Sequence, residues 1–183
     1  MRFNPQSNHR ILVIDDVESV HDVFRRILIG SSIPKVVHDK DAAAFGSGSV
    51  LNKMPIFEID SAFNGEEGLG LIEKSLLENR PYFMAFVDVR LGSGWDGVQT
   101  TCKIWQQYPD LNVVLCTGFT DRPWEDLVKS LGFLDRMMVL IKPFEVTEVK
   151  QLAVGLSEKW RLNQQAKLRV DNLERLVQNL RSR

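Results

Sequence analysis

The chain has 183 residues, 44% of them hydrophobic and 26% charged, with a net charge of -1. That is enough for one packed domain and an extension, and it excludes wholesale disorder. The charge balance excludes a broad nucleic-acid footprint, and no apolar run is long enough to cross a membrane.

Residues 1–9 read as a polar tail without the apolar core of a signal peptide. Strand patterns then alternate with helical ones. Ile11-Leu12-Val13-Ile14 is a short apolar run, the pattern of a strand buried on both faces. Over residues 17–29, Val20, Phe24, Ile27 and Leu28 recur at helical spacing. Residues 30–55, punctuated by Gly30, Pro34, Gly46 and Gly48, read as an insertion that could carry a short helix. Residues 56–62 form a second strand, and Asn64-Gly65 turns it into a helix over 66–78. Pro81 opens a third strand, which ends at Asp88. A loop, Leu91-Gly92-Ser93-Gly94, leads into a helix over 96–108. The fourth strand, Val113-Val114-Leu115-Cys116, ends before Thr117, and a short helix follows over 124–131. The fifth, Met138-Val139-Leu140-Ile141, stops at Lys142-Pro143, where proline cannot continue the ladder. Five strands alternating with helices predict an α/β domain, a parallel sheet covered on both faces.

From about residue 146 the chain contains no proline and one glycine, Gly155. Val149, Leu152, Leu156, Asn163, Ala166, Val170, Leu173, Val177 and Leu180 fall mostly on a heptad seam. Such a helix runs about 50 Å at ~1.5 Å per residue, longer than a domain of this size is wide. Its part beyond Trp160 cannot all pack on its own sheet. The expected division is therefore a domain over 10–158 and a coiled-coil linker over 159–183 that pairs with a second copy. Asn163 on the seam would favour two strands.

In an open α/β sheet the working groups gather beyond the carboxyl ends of the strands. Asp15, Asp16, Asp88, Thr117 and Lys142 all follow apolar runs and would meet there. Three carboxylates, a hydroxyl and an ammonium can bind a divalent cation and hold a phosphoryl group on a carboxylate. Mg²⁺ takes oxygen ligands and relieves carboxylate repulsion. Asp16 and Asp88 are the expected direct ligands, Asp15 lies close by or acts through water, and the Arg90 backbone carbonyl completes the set. Asp88, on the central strand, is the expected nucleophile, giving an aspartyl phosphate. Lys142 would pair with one phosphoryl oxygen as a point charge and Thr117 would donate to another. Singly, each residue has a plainer reading: Asp15 and Asp16 as helix caps, Asp88 as a turn residue, Thr117 and Lys142 as loop and strand ends. Together, four strand ends with complementary chemistry favour the site. His9, His21 and His38 lack metal-ligand spacing and are expected in solvent. Cys102 and Cys116 lie in apolar stretches and are expected as buried, reduced thiols of a cytoplasmic protein. The four tryptophans read as structural, with Trp95 near Asp88.

The motifs resemble, in order, those of bacterial two-component response regulator receiver domains. They are Ile11-Leu12-Val13-Ile14-Asp15-Asp16, Phe86-Val87-Asp88-Val89-Arg90-Leu91 with Trp95-Asp96-Gly97, Thr117-Gly118 and Lys142-Pro143-Phe144. The resemblance covers about residues 9–158. It implies a flavodoxin-like doubly wound sheet of order 2-1-3-4-5. It also implies phosphotransfer to Asp88 from a histidine kinase or phosphotransfer protein, with Mg²⁺ required. The segment from Asp88 to Asp96-Gly97, together with Trp124-Glu125 and Glu158-Lys159-Trp160, further resembles receivers fused upstream of output domains such as histidine kinases or diguanylate cyclases. Such a chain catalyses its own phosphorylation and dephosphorylation, and any output enzyme would lie beyond it. Three departures stand out: Val139 replaces the usual aromatic three residues before the lysine, the loop after Asp88 is longer and lacks proline, and the 30–55 insertion is extra. Val139 motivates an alternative, a receiver-like dimerisation scaffold that phosphorylation does not switch. A phosphatase of the haloacid dehalogenase type fits poorly, because Asp88-Val89-Arg90 lacks a second aspartate two residues on.

Overall fold

The computed structural model describes residues 9–29, 55–118, 124–132 and 136–181. Almost all of the expected tail and of the 30–55 insertion therefore lies outside the described residues. The elements are β1 (Arg10–Ile14), α1 (Glu18–Leu28), β2 (Glu58–Ala62), α2 (Gly65–Leu77) and β3 (Met84–Asp88), then α3 (Gly97–Gln107), β4 (Asn112–Gly118), α4 (Trp124–Leu131), β5 (Met137–Lys142) and α5 (Val146–Arg181). All strands pair in parallel in the order β2-β1-β3-β4-β5. The predicted flavodoxin-like sheet and long last helix are both present.

Alternation along each strand splits the core in two. Ile11, Val13, Phe86, Val114 and Leu140 face α1 and the first half of α5, where Phe24, Leu28, Val149 and Trp160 meet them. Leu12, Ile14, Ala85, Val87 and Leu115 face the other side, against Ile72 of α2 and Ile104 of α3. All five residues of β3 are buried, as expected of a central parallel strand. Each large apolar side chain so buried contributes about 1.5–3 kcal/mol. The Asn64 side chain caps α2 by accepting from the Glu67 N–H at 2.8 Å. Asp96 and Gln99 form a reciprocal capping box on α3.

Two expectations are corrected. His21 is fully buried on α1 rather than solvated, because it lies on the same helical face as Phe24 and Leu28. Cys116 is buried, but Cys102 is only half-buried, on α3 against the Ser130 carbonyl. The seam of α5 divides near Trp160. Val149, Ala153, Leu156 and Trp160 are buried against the sheet, whereas from Ala166 to Arg181 every residue is exposed. Among the described residues, no helix is long and apolar enough to cross a membrane.

Candidate functional site

The site is built where β1, β3, β4 and β5 end. Backbone pairing continues one residue past β1, with the Asp15 N–H donating to the Ala62 carbonyl at 3.1 Å. Asp15 is thereby turned inward and only 2% exposed, while the next residue, Asp16, is exposed. His21 fixes the same point from α1. Its Nε2 lies 2.7 Å from the Asp15 carbonyl oxygen, which can only accept, so Nε2 carries the proton. The ring also packs on Phe63 at 4.7 Å between centroids. The cap reading of the aspartates is not realised, for the N-cap of α1 is Val17, without a side-chain bond. Instead Asp15 Oδ1 accepts from the Val17 N–H at 2.9 Å.

Asp88 is the last residue of β3 and is 8% exposed. The Val89 N–H holds the strand end by donating to the Cys116 carbonyl at 2.9 Å. Lys142, the last residue of β5, reaches back so that Nζ donates to Asp15 Oδ2 at 2.9 Å and lies 3.2 Å from Asp88 Oδ1. The Arg90 backbone N–H also donates to the Asp88 carboxylate. Thr117 is buried at the end of β4, one residue past Cys116, which is the register partner of Asp88. Its hydroxyl donates to the Gly118 carbonyl at 3.1 Å. The structure thus gathers Asp15, Asp16, Asp88 and Lys142 and places Thr117 on the adjoining strand.

The carboxylates of Asp15, Asp16 and Asp88 each offer an oxygen, and these oxygens lie within 4.8 Å of one another. Three hard oxygen donors at that spacing suit Mg²⁺. Asp16 Oδ2 accepts from the Gly92 N–H at 3.0 Å, which ties the loop after β3 to the cluster. Two glycines shape that loop. Gly94 has φ +74°, in the left-handed region that favours glycine. At Gly97 an added Cβ would fall 2.0 Å from the Asp88 carbonyl oxygen, so α3 can start this close to β3 only without a side chain. Neither His21, expected in solvent, nor Gly97, quoted only within the Trp95-Asp96-Gly97 motif, was expected to shape the site. The signal for His21 was present, three residues before Phe24 and seven before Leu28 on one helical face.

One ammonium facing several carboxylates sets the electrostatics. Burial pushes the Asp88 carboxyl above its ordinary value; Lys142 opposes the shift and the charge of Asp15 reinforces it. Burial works to lower the Lys142 ammonium, but the hydrogen bond and charge of Asp15, joined by Asp88, outweigh it and hold its pKa above the usual value. Nearby, Trp95 is half-buried beneath the Lys103 ammonium, 4.4 Å from its ring centre. Val139 is half-buried against the core on the α2–α3 side.

No protein-family model matches the sequence, and no curated protein matches it. Solved structures do match. An adenylate cyclase from Rhodopirellula baltica is similar over 90% of this chain and 98% of its own, with TM-score 0.64 and 20% identity. The receiver domain of NtrX from Brucella abortus matches 81% of this chain and 98% of its own, with TM-score 0.54 and 23% identity. This chain has the receiver-domain fold. A longer NtrX chain from the same organism, in complex with ATP, matches 87% of this chain with TM-score 0.60 and 20% identity, and here this chain spans 29% of the other's length. In the receiver fold the strand order reverses between β1 and β3. Asp15, Asp16 and Asp88 sit at that switch point, where open α/β sheets bind ligands.

Proposed function

We propose that the chain is a response regulator receiver domain that accepts a phosphoryl group on Asp88. The observation that carries this reading is the buried Asp88 carboxylate with Lys142 Nζ 3.2 Å away and two further carboxylates beside it. The donor is a phosphohistidine of a histidine kinase or phosphotransfer protein. A carboxylate oxygen of Asp88 forms the new O–P bond as the donor's N–P bond breaks, and the imidazole leaves with that bonding pair. Lys142 then balances one phosphoryl oxygen and the Thr117 hydroxyl donates to another. Asp15, Asp16 and Asp88, with the Arg90 carbonyl, would hold Mg²⁺, which when bound would supply charge neutralisation for the phosphoryl oxygens. The consequence is a changed balance among Lys142, Thr117 and the loops between them, passed to α5 and to the pairing of two copies.

Incubation with a small phosphodonor and Mg²⁺ is expected to label wild type and to leave Asp88→Asn unlabelled. Equal labelling of the two would overturn the assignment. Val139, with no aromatic ring to follow Thr117, favours a second reading, a dimerising scaffold that phosphorylation does not switch. Sedimentation and Trp fluorescence with and without beryllofluoride separate the two, since the scaffold changes neither.

A further inference from the structure

A cleft opens at the end of the sheet opposite Asp88, where α5 leaves the body. It consists of two adjoining hollows of about 340 and 260 Å³, and Pro109, Asp110, Trp160 and Gln164 line both. A space of this size takes a small molecule. Pro81 and Tyr82 enter it from just before β3, residues 108–111 from the loop between α3 and β4, and Arg136 from just before β5. We infer that this cleft binds a planar aromatic anion, a flat ring carrying a carboxylate or a phosphate, which braces α5 against the α3–β4 loop. The inference does not rest on phosphorylation of Asp88; it gives the domain a second input.

The larger hollow selects the ring. Its walls include the buried side chains of Ile72, Tyr82, Leu111 and Trp160 and the half-buried ring of Tyr108. Two polar groups of this wall spend their bonds elsewhere. The Tyr82 hydroxyl donates to Asp60 at 2.8 Å, and the Ser75 hydroxyl to the Ile72 carbonyl at 2.7 Å. What Tyr82, Tyr108 and Trp160 offer here is aromatic surface, on which a flat ring packs well.

The smaller hollow selects the charge. Arg136 and Lys159, both half-buried, line it from the start of β5 and from α5. Asp110 is the one carboxylate of this lining, and Lys167 pairs with it. The balance is therefore positive, and partial burial protects it from screening by salt. Arg136 is held in place: it donates to the Pro109 carbonyl and lies 5.3 Å from the Trp105 ring centre. A guanidinium presents five N–H donors in a fixed fork that matches carboxylate and phosphate. Asn112, only 3% exposed, lines the same hollow and gives one amide hydrogen to the Phe83 carbonyl at 2.9 Å. An amide carries a second donor, so this buried side chain can bond the anion as well. Trp160 is the last buried residue of α5. A molecule spanning both hollows touches the helix there, and so fixes the direction in which the exposed half leaves.

The test titrates the full chain with naphthoate, followed by amide NMR. Saturating shifts are expected at residues 108–112 and 159–164, with a Kd of about 1 mM or tighter. Amides around Asp88 and over residues 170–180 should stay in place. Naphthyl phosphate is run in parallel, and the tighter of the two names the anion. Naphthamide, the uncharged analogue, should bind wild type about tenfold more weakly than naphthoate. Arg136→Gln with Lys159→Gln should weaken naphthoate about tenfold and leave naphthamide unchanged. Equal affinity of wild type for naphthoate and naphthamide overturns the choice of an anion, whatever the variant does. Shifts that do not saturate by about 10 mM, or that gather on residues 170–180, overturn the site. Asp88→Asn should bind naphthoate as wild type does, which separates failure of this site from failure of the phosphorylation assay.

Discussion

The carboxyl end of the sheet and the outer half of α5 break the ordinary rule of burial in opposite senses. At the first, Asp15 and Asp88 are buried with one half-buried lysine between them. At the second, leucines and valines stand in solvent along a helix whose earlier turns pack into the core. Buried charge and exposed apolar stripes are the informative exceptions in a folded chain. Each costs stability in isolation, and the proposed function offers a compensation for each: a cation and a phosphoryl group in one case, a second helix in the other. The difference between the regions is therefore in what completes them. The site is a set of charged groups in a rigid frame; the outer half of α5 is an exposed helix that meets the body at one ion pair, Lys167 with Asp110.

Two substitutions on α5 sharpen the contrast most. Trp160→Ala removes a buried ring and is expected to cost about 3–5 kcal/mol in chemical unfolding. Leu173→Ala, measured at a concentration where the chain is monomeric, should stay within about 0.5 kcal/mol of wild type. A comparable loss from both would mean that the outer half packs on the body and is not a free surface. At the other region, Lys142→Met leaves Asp15 and Asp88 without their shared cation. A loss of about 2–3 kcal/mol at neutral pH is expected without metal. Replacing Asp15 by Asn in the same background should recover part of it. A Lys142→Met protein as stable as wild type in urea would show that the carboxylates do not depend on the lysine.

Much of this was legible in the chain because two simple periods dominate it. Uninterrupted apolar runs at 11–14 and 83–87 gave buried parallel strands, and the polar residues after them gave the site, since topology alone collects strand ends. The seam of α5 was legible as a pattern but not in its allocation. Val149 and Leu156 carry the same heptad phase as Val170 and Val177, and only the position of the sheet assigns the first pair to the core. His21 was misread for a related reason: its type suggests solvent, while its place beside Phe24 on the helical face dictates burial. The pairing of Lys142 with Asp15 as well as Asp88 depends on a distance across the sheet that no local pattern encodes. Gly97 is the same kind of case, a requirement set by a carbonyl nine residues earlier.

A further effect is the most diagnostic of the site. Asp88 carries a carboxyl whose pKa is raised in the folded protein, by burial first, with Lys142 opposing and Asp15 reinforcing. The folded state thus holds that proton more tightly than the unfolded chain does. Its contribution is most favourable at low pH, where Asp88 is protonated, and is lost as pH rises from the ordinary carboxylate value through the raised one. Asp88→Asn does not titrate and keeps the uncharged state throughout. Without metal it should match wild type at acidic pH and be the more stable of the two at neutral pH. Added Mg²⁺ should narrow or invert the difference, because a cation that binds only the folded carboxylate set stabilises wild type in proportion to its occupancy. Denaturant midpoints at acidic and neutral pH, each with and without Mg²⁺, read all four states. If Asp88→Asn were the less stable protein at neutral pH without metal, the attraction of Lys142 would outweigh the cost of burying the charge, and the cluster would be a structural ion pair rather than a site held open for a cation.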